Sequence, residues 1–321
     1  MFSTPTVVGD LLVVGSCNGM IRALDNKTGQ VKWSYDIRKD GEQNNFHGDP
    51  LITDELVIIG TDGKMGHVYA FERSSGAVRW KYKVNEYGVA SDIVRSGGKL
   101  YAVTLGNELL CLDLVTGKAD WTFHTSYSGE ETCLTCSSPV VANNRVYFGG
   151  MDGFAYALNA QDGKVFWKRD LGARVTTSAA VHEHDLYLGT GNRHIFRLND
   201  ASGDVLSDLT AESQPWGRLV ITGDSLLAFL GQEMLASIDL SLAKIRWSAK
   251  ASKDWTSARP YLWRGAILGG TRGELVAFRP TDGSREWSHE FPGTVRGIGT
   301  APDILYVGTL KGPIFAYSPK L

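Results

Sequence analysis

Cys133 and Cys136 are separated by two residues, the Cys-x-x-Cys spacing that supplies half a zinc site or a dithiol redox pair. The other cysteines, Cys17 and Cys111, are single, so no second pair completes a metal set. His47 and His124 lie in separate connecting segments. The spacing therefore reads as a thiol pair leading into a strand, with no metal. Four cysteines in 321 residues are too sparse for a disulfide scaffold. Gly223-Asp224-Ser225-Leu226 matches the short signature of a lipase-like hydrolase, but it aligns with Gly9-Asp10-Leu11-Leu12 and reads as a hairpin turn. Asn26-Lys27-Thr28 is a glycosylation sequon on a turn, where Asn and Thr serve the turn. Asp62-Gly63-Lys64-Met65-Gly66 lacks alternating acids and reads as an expanded hairpin rather than a Ca²⁺ loop. None of these sets reads as catalytic.

Composition narrows the class. Lys+Arg 33 against Asp+Glu 35 leaves no basic excess, which argues against a nucleic-acid binder. No run of 18 apolar residues is present, so no transmembrane helix is expected. Met1 to Pro5 shows neither a basic n-region nor an apolar h-region. Two residue types are over-used. Gly accounts for 37 of 321 residues, above the typical ~7%, and there are nine Trp. Many turns and many large apolar anchors point to a repetitive all-β chain.

The repeat is explicit. Six Trp follow a Gly, or an Ala in its place, by four positions: Gly29–Trp33, Gly76–Trp80, Gly117–Trp121, Gly163–Trp167, Ala243–Trp247 and Gly283–Trp287. A seventh copy has Gly203 followed by Ser207. The column 33, 80, 121, 167, 207, 247, 287 fits the period of a propeller blade of about 40 residues. Eight residues before each Trp lies a turn residue: Asp25, Glu72, Asp113, Asn159, Asn199, Asp239 and Arg279. Two residues earlier is a strand end: Ala23, Ala70, Cys111, Ala157, Arg197, Ser237 and Ala277, with Ala316 as an eighth copy. β-Branched and aromatic runs bounded by Gly, Asn and Asp give four short strands per copy. The reading is an all-β, eight-bladed propeller forming one domain over residues 1–321. Trp33, Trp80, Trp121, Trp167, Trp247 and Trp287 are expected to wedge between blades. The eighth copy ends after its third strand, so the last blade lacks its outer strand. Its unpaired edge is a place for association. About three residues precede blade 1, too few for a closing strand, so either the last blade has three strands or the natural chain extends beyond one end; the favoured expectation is a truncated N-terminal segment, a place for a leader.

The pattern Ala-Leu-Asp25-x-x-Thr28-Gly29-x-x-x-Trp33, repeated from Cys111 to Trp121, resembles the pyrroloquinoline-quinone (PQQ)-like repeat. That resemblance spans nearly the whole chain and implies an eight-bladed β-propeller. The family includes quinoprotein dehydrogenases holding PQQ and Ca²⁺, which are much longer and resemble one another in an adjacent Cys-Cys pair. It also includes non-catalytic propellers, such as the BamB-type lipoprotein of outer-membrane assembly and sensor domains of bacterial kinases. Here Leu134-Thr135 separates the two cysteines, so the resemblance implies the non-catalytic branch, without a cofactor and outside the cytoplasm.

Blades differ in their connecting loops, and loops on a rigid scaffold carry function. The connections from each Trp strand to the next inner strand should gather at the channel mouth. They contribute Asn44, Asn45, Phe46 and His47, then Tyr87, then Glu130 and Glu131. Arg174, Trp216 with Arg218, Trp255 with Arg259, and Arg296 follow. Trp216, Trp255 and Trp263 stand outside the repeat column, and Trp and Arg are enriched at binding hot spots. The expected activity is protein binding through this rim, without catalysis. The alternatives are a sensor holding PQQ or another anion against Arg174, Arg218, Arg259 and Arg296, and a degenerate quinoprotein oxidoreductase.

Overall fold

A computed structural model describes residues 3–41, 45–63, 66–84, 87–127, 137–257, 259–310 and 312–318. Among these residues the secondary structure is strand, apart from one 3-10 turn at Ile37–Asp40. The fold class is the eight-bladed β-propeller. Six sheets hold four antiparallel strands in chain order, and a seventh has the same four plus one more. The eighth sheet has three strands among the described residues, Val295–Thr300, Leu305–Thr309 and Ile314–Tyr317.

Contacts divide the chain into two units, residues 1–124, 130–134 and 296–321, and residues 125–129 and 135–295. The first unit holds blade 1 (Thr6–Val8 to Val31–Asp36), blade 2 (Leu51–Ile52 to Val78–Lys83), blade 3 (Val94–Ser96 to Ala119–His124) and almost all of blade 8. The second holds blade 4 (Val140–Ala142 to Val165–Asp170), blade 5 (Ala180–His182 to Val205–Thr210), blade 6 (Pro215–Thr222 to Ile245–Lys250) and blade 7 (Tyr261–Trp263 to Arg285–Glu290). In blade 6 the short strand Thr177–Ser178 adds in parallel to Pro215–Thr222, which nothing in the repeat foretold.

Strand register explains the strand-end column. Ala23, Ala70, Cys111, Ala157, Ser237 and Ala277 each lie directly opposite the Trp of the next strand. A small side chain there leaves room for the indole. In blade 5 the sizes exchange, and Arg197 faces Ser207. Cys111 is thus a packing residue, and burial pushes its thiol up to about 12.

The Gly column has a different logic from the one its spacing suggests. Four of these glycines, Gly76, Gly117, Gly203 and Gly283, serve the Trp of the preceding blade, not the residue four positions after them. A β-carbon on Gly76 would lie 2.6 Å from the Trp33 ring, and one on Gly203 would lie 2.6 Å from the Trp167 ring. Gly117 and Gly283 meet Trp80 and Trp247 in the same way. Beside each Gly, the indole N–H donates to a turn carbonyl: Trp33 to Arg73, 2.8 Å; Trp80 to Leu114, 3.1 Å; Trp167 to Asp200, 2.9 Å; Trp247 to Pro280, 2.8 Å. Blade 5 tests the rule. With Ser207 in the Trp place, the Ser207 hydroxyl donates to Ser241 O at 2.8 Å and Tyr187 donates to Leu240 O at 2.8 Å. The facing turn then carries Ala243, and its positive φ moves to Leu242. Trp33, Trp80 and Trp167 are buried, and Trp121, Trp247 and Trp287 are half-buried. Full burial of a Trp removes roughly 150–250 Å² from water, which at about 25 cal/mol/Å² makes the buried three the stronger supports of packing between blades.

The repeat turn is fixed by its acid. Asp25 Oδ1 accepts from the backbone N–H of Thr28 at 2.9 Å and from its hydroxyl at 3.0 Å, and Asp113 does the same for Thr116. Asn26 clamps the turn to Gly9 O at 2.7 Å. The Thr28 N–H and hydroxyl pull Asp25 down to about 2, and the Thr116 hydroxyl and N–H lower Asp113. An unfolded Asp titrates near ~3.9. These turns therefore contribute fully above about pH 4, and the contribution is lost as pH falls toward 2. The thermal midpoint, followed by circular dichroism, is expected to drop across that window. An Asp25→Asn/Asp113→Asn variant is expected to show a smaller drop.

Candidate functional site

The loops leading into each first strand begin in the core. In the first unit, Phe46 is wholly buried, and a β-carbon on Gly15 would lie 2.6 Å from its Cβ. Val89 covers Gly60 of blade 2 in the same manner. In the second unit Val175 covers Gly149, Pro215 covers Gly189 and Val295 covers Gly270. Phe46 therefore belongs to a column that seals the inner end of the preceding blade. The position expected at the rim is a core position, because the chain must pass over the glycine before it reaches the surface.

A column of hydroxyls serves the inner ends of the same second strands. Ser3, Ser91, Ser137, Thr177 and Ser257 are buried. Each accepts a backbone N–H, from Gly15, Val103, Gly149, Gly189 and Gly270 respectively. They satisfy the last donor of the second strand, which would otherwise be orphaned indoors. Sequence reasoning missed them because a lone Ser or Thr carries no periodic hydrophobic signal.

In the first unit, His47 Nδ1 lies 2.6 Å from Asp62 Oδ2. The Asp62 backbone bridges Asn45 on one side and Gly88 on the other, so two loops are zipped to one hairpin. Tyr87 adopts φ +48 and its carbonyl accepts from Gly63 N at 2.7 Å. Cys17 is half-buried, and burial raises its thiol, with the Asp62 and Arg296 charges acting in opposite directions. His47 and Tyr87 stand at loop positions, and the half-buried Arg296 stands at the start of the strand Val295–Thr300. Beside blade 1, Asp40 accepts from Tyr35 at 2.7 Å, Tyr69 at 3.1 Å and Lys81 at 2.6 Å. Burial works to raise Asp40, yet these three donors hold it below the usual carboxylate range.

In the second unit, Arg174 is exposed, and its carbonyl accepts from Gly191 N at 2.9 Å. Arg218 is half-buried beside the parallel Thr177–Ser178 strand. Arg259 lies over the Tyr261 ring, 4.9 Å from its centroid. Trp216 is half-buried, donates its N–H to Gly231 O, and stacks on Phe229 at 5.4 Å. Trp255 stacks on the other aromatic neighbour of that column, with Phe229 at 5.2 Å and Phe278 edge-on at 5.8 Å. Trp255 is only 2% exposed. It is a core anchor rather than a rim contact, because it fills the space over Gly269, whose β-carbon would lie 2.5 Å from its ring. Trp263 is also buried, with Arg264 at 4.9 Å.

Glu130, Glu131, Cys133, Cys136 and Asn44 lie outside the described residues. Among the described residues no three His, Cys, Asp or Glu side chains converge as a metal set. His124 is paired with Glu108 at 2.8 Å. The chain has no adjacent cysteine pair on which a quinone would stack, and Cys111 is committed to packing against Trp121. This donor set does not fit PQQ. Gly223-Asp224 is a hairpin turn whose carboxylate forks with Arg246 at 2.7 and 2.6 Å, which is a structural role.

Comparison with known proteins places this geometry. The model of the family described as outer membrane protein assembly factor BamB matches residues 1–63 and 64–289. The outer membrane protein assembly factor BamB of Moranella endobia is 23% identical over 238 residues, covering 70% of this chain and 58% of the relative. The chain thus spans little more than half the length of that curated relative. The crystal structure of BamB from Moraxella catarrhalis superposes with a TM-score of 0.77 at 18% identity, covering 96% of this chain and 91% of that one. The quinohemoprotein alcohol dehydrogenase from Comamonas testosteroni superposes at 0.75 with 14% identity, over 95% and 70% of the two chains. At these identities the two structures speak to the fold. Among the described residues no helix is long and apolar enough to cross a membrane.

Proposed function

This chain belongs to the family described as outer membrane protein assembly factor BamB, and on that premise we propose that it is a non-enzymatic scaffold for protein assembly, working outside the cytoplasm. The observation that carries the reading is the family match through residue 289. Its partner is a protein component of outer-membrane protein assembly. The contact surface is drawn from loop and strand-entry residues that remain at or near the surface. In the second unit these are Arg174, Trp216, Arg218 and Arg259, and in the first unit His47, Tyr87 and Arg296. Arg and aromatic side chains on short, well-anchored loops suit this task. Their cost of ordering is small because the backbone beneath them is already fixed.

The test is site-specific photocrosslinking in cells, with the reactive group at position 174 or 259. Adducts to an assembly component are expected at both positions and are expected to fall at least tenfold when the other arginine is changed to Glu. Adducts that are absent at both positions, or unchanged by the charge reversal, would count against this surface. Titration with PQQ and Ca²⁺ is expected to leave absorbance and thermal midpoint unmoved, whereas stabilisation would favour a cofactor-binding sensor.

A further inference from the structure

We propose that the outer edges of blades 4 and 5 form a docking surface for an extended segment of alternating apolar residues, the kind of strand an unfolded outer-membrane barrel protein presents. The inference rests on the assembly reading above. It adds a client-binding surface that uses none of the loop residues already assigned.

The residue before each repeat Trp carries the argument. The strand register skips this residue, so it stands in a β-bulge of the outer strand. In blades 1, 2, 3, 6 and 7 it is charged and tied to a partner in its own blade. Lys32 pairs with Asp10, Arg79 with Glu55 at 2.9 Å, Asp120 with Lys99 at 2.6 Å, Arg246 with Asp224 at 2.6 Å and Glu286 with Arg279 at 3.6 Å. Charge on an outer strand is a guard against pairing at the edge. Blades 4 and 5 lack it. Their bulges hold Phe166 and Leu206, each 48% exposed, preceded by Val165 and Val205 at 46% and 45%. The two edges are held side by side within the second unit. Arg169 of blade 4 donates to Gly203 O at 2.6 Å and pairs with Asp204 of blade 5 at 2.7 Å.

Size and chemistry select the occupant. Four half-exposed apolar side chains offer roughly a few hundred Å². Each subunit of a stable dimer buries about 800 Å², so the patch is too small for a second copy and fits a short segment. Val165–Asp170 and Val205–Thr210 each pair with one strand, and among the described residues no strand lies on their outer side. Their outward N–H and C=O groups can bond an added strand. The charges on these turns are paired, Lys164 with Asp162 at 2.9 Å and Arg169 with Asp204, which favours an uncharged segment. A strand alternating apolar and polar residues lays one apolar row on the patch and turns the other row to water. Transmembrane β-strands carry that alternation, and their apolar row needs cover until it meets lipid.

The probe is a fluorescently labelled peptide alternating threonine with valine and phenylalanine, followed by anisotropy against the full chain. It is expected to bind and to protect amides of Val165–Asp170 or Val205–Thr210 in hydrogen exchange. A peptide of the same composition with its apolar residues in one block is expected to bind at least tenfold more weakly. Phe166→Arg combined with Leu206→Arg installs the residue type that Arg79 and Arg246 supply in blades 2 and 6. Its thermal midpoint is therefore expected to stay within a few degrees while peptide affinity falls at least tenfold. Leu206→Ser alone, a milder change, is expected to weaken binding several-fold. Absent binding, equal affinity for the variants and the parent, or protection elsewhere would overturn the surface. Concentration-dependent dimers dissolved by the double variant would assign the patch to a second copy and overturn the segment proposal. No assembly component enters these measurements. Crosslinking retained at positions 174 and 259 with no peptide binding removes this inference and leaves the scaffold reading in place.

Discussion

Gly76→Ala is expected to destabilise the protein by roughly 2–5 kcal/mol, while the same change at Gly29 costs only about 1–2 kcal/mol. Both residues sit at φ near +70 in the same turn of neighbouring blades, so the backbone penalty is shared. The difference is the indole. A β-carbon at Gly76 would lie 2.6 Å from Trp33, whose N–H is anchored to Arg73 O at 2.8 Å and which is buried against Phe71. The ring cannot withdraw without breaking that hydrogen bond and opening the interface between blades 1 and 2. Urea unfolding of both variants measures the gap. Trp33→Ala is expected to cost about 3–5 kcal/mol by itself. Combined with Gly76→Ala it is expected to cost clearly less than the sum, because the collision disappears with the ring. Additive costs would mean that the glycine serves the turn alone.

Trp255→Ala is expected to lower stability by about 3–5 kcal/mol, the range for emptying a large buried aromatic site. Phe229, Phe278 and the bare backbone at Gly269 form the walls of that site. Trp255→Phe is expected to cost no more than about 1.5 kcal/mol. The indole Nε1 is buried with no hydrogen-bond partner among the described residues, so removing it forfeits no bond and relieves a desolvated donor. Denaturant unfolding separates the two variants. A binding residue would show the reverse, with stability untouched and partner capture lost.

The repeat residues announce themselves because packing between blades imposes the same size constraint at a fixed interval. A Trp, the small residue opposite it and a glycine facing it recur about every 40 residues, and their exceptions are matched. Ser207 replaces Trp, Arg197 replaces the small residue and Ala243 replaces the glycine. The candidate surface was less legible. Arg174, Arg218 and Arg259 were found as loop arginines and remain at or near the surface. Phe46 and Trp255 looked like the same kind of residue and are core. The distinction depends on whether a loop residue passes over a neighbouring glycine, and that contact joins positions about 14 to 31 apart in the chain, as Gly269 with Trp255 and Gly15 with Phe46.

The sequence by itself determined the blade count and the strand-turn chemistry, because each is a local or strictly periodic demand on residue type. The tertiary structure alone decided which glycine serves which tryptophan and which loop aromatics are buried. Those are contacts between blades, and a side chain's neighbour across an interface leaves no mark on its own spacing.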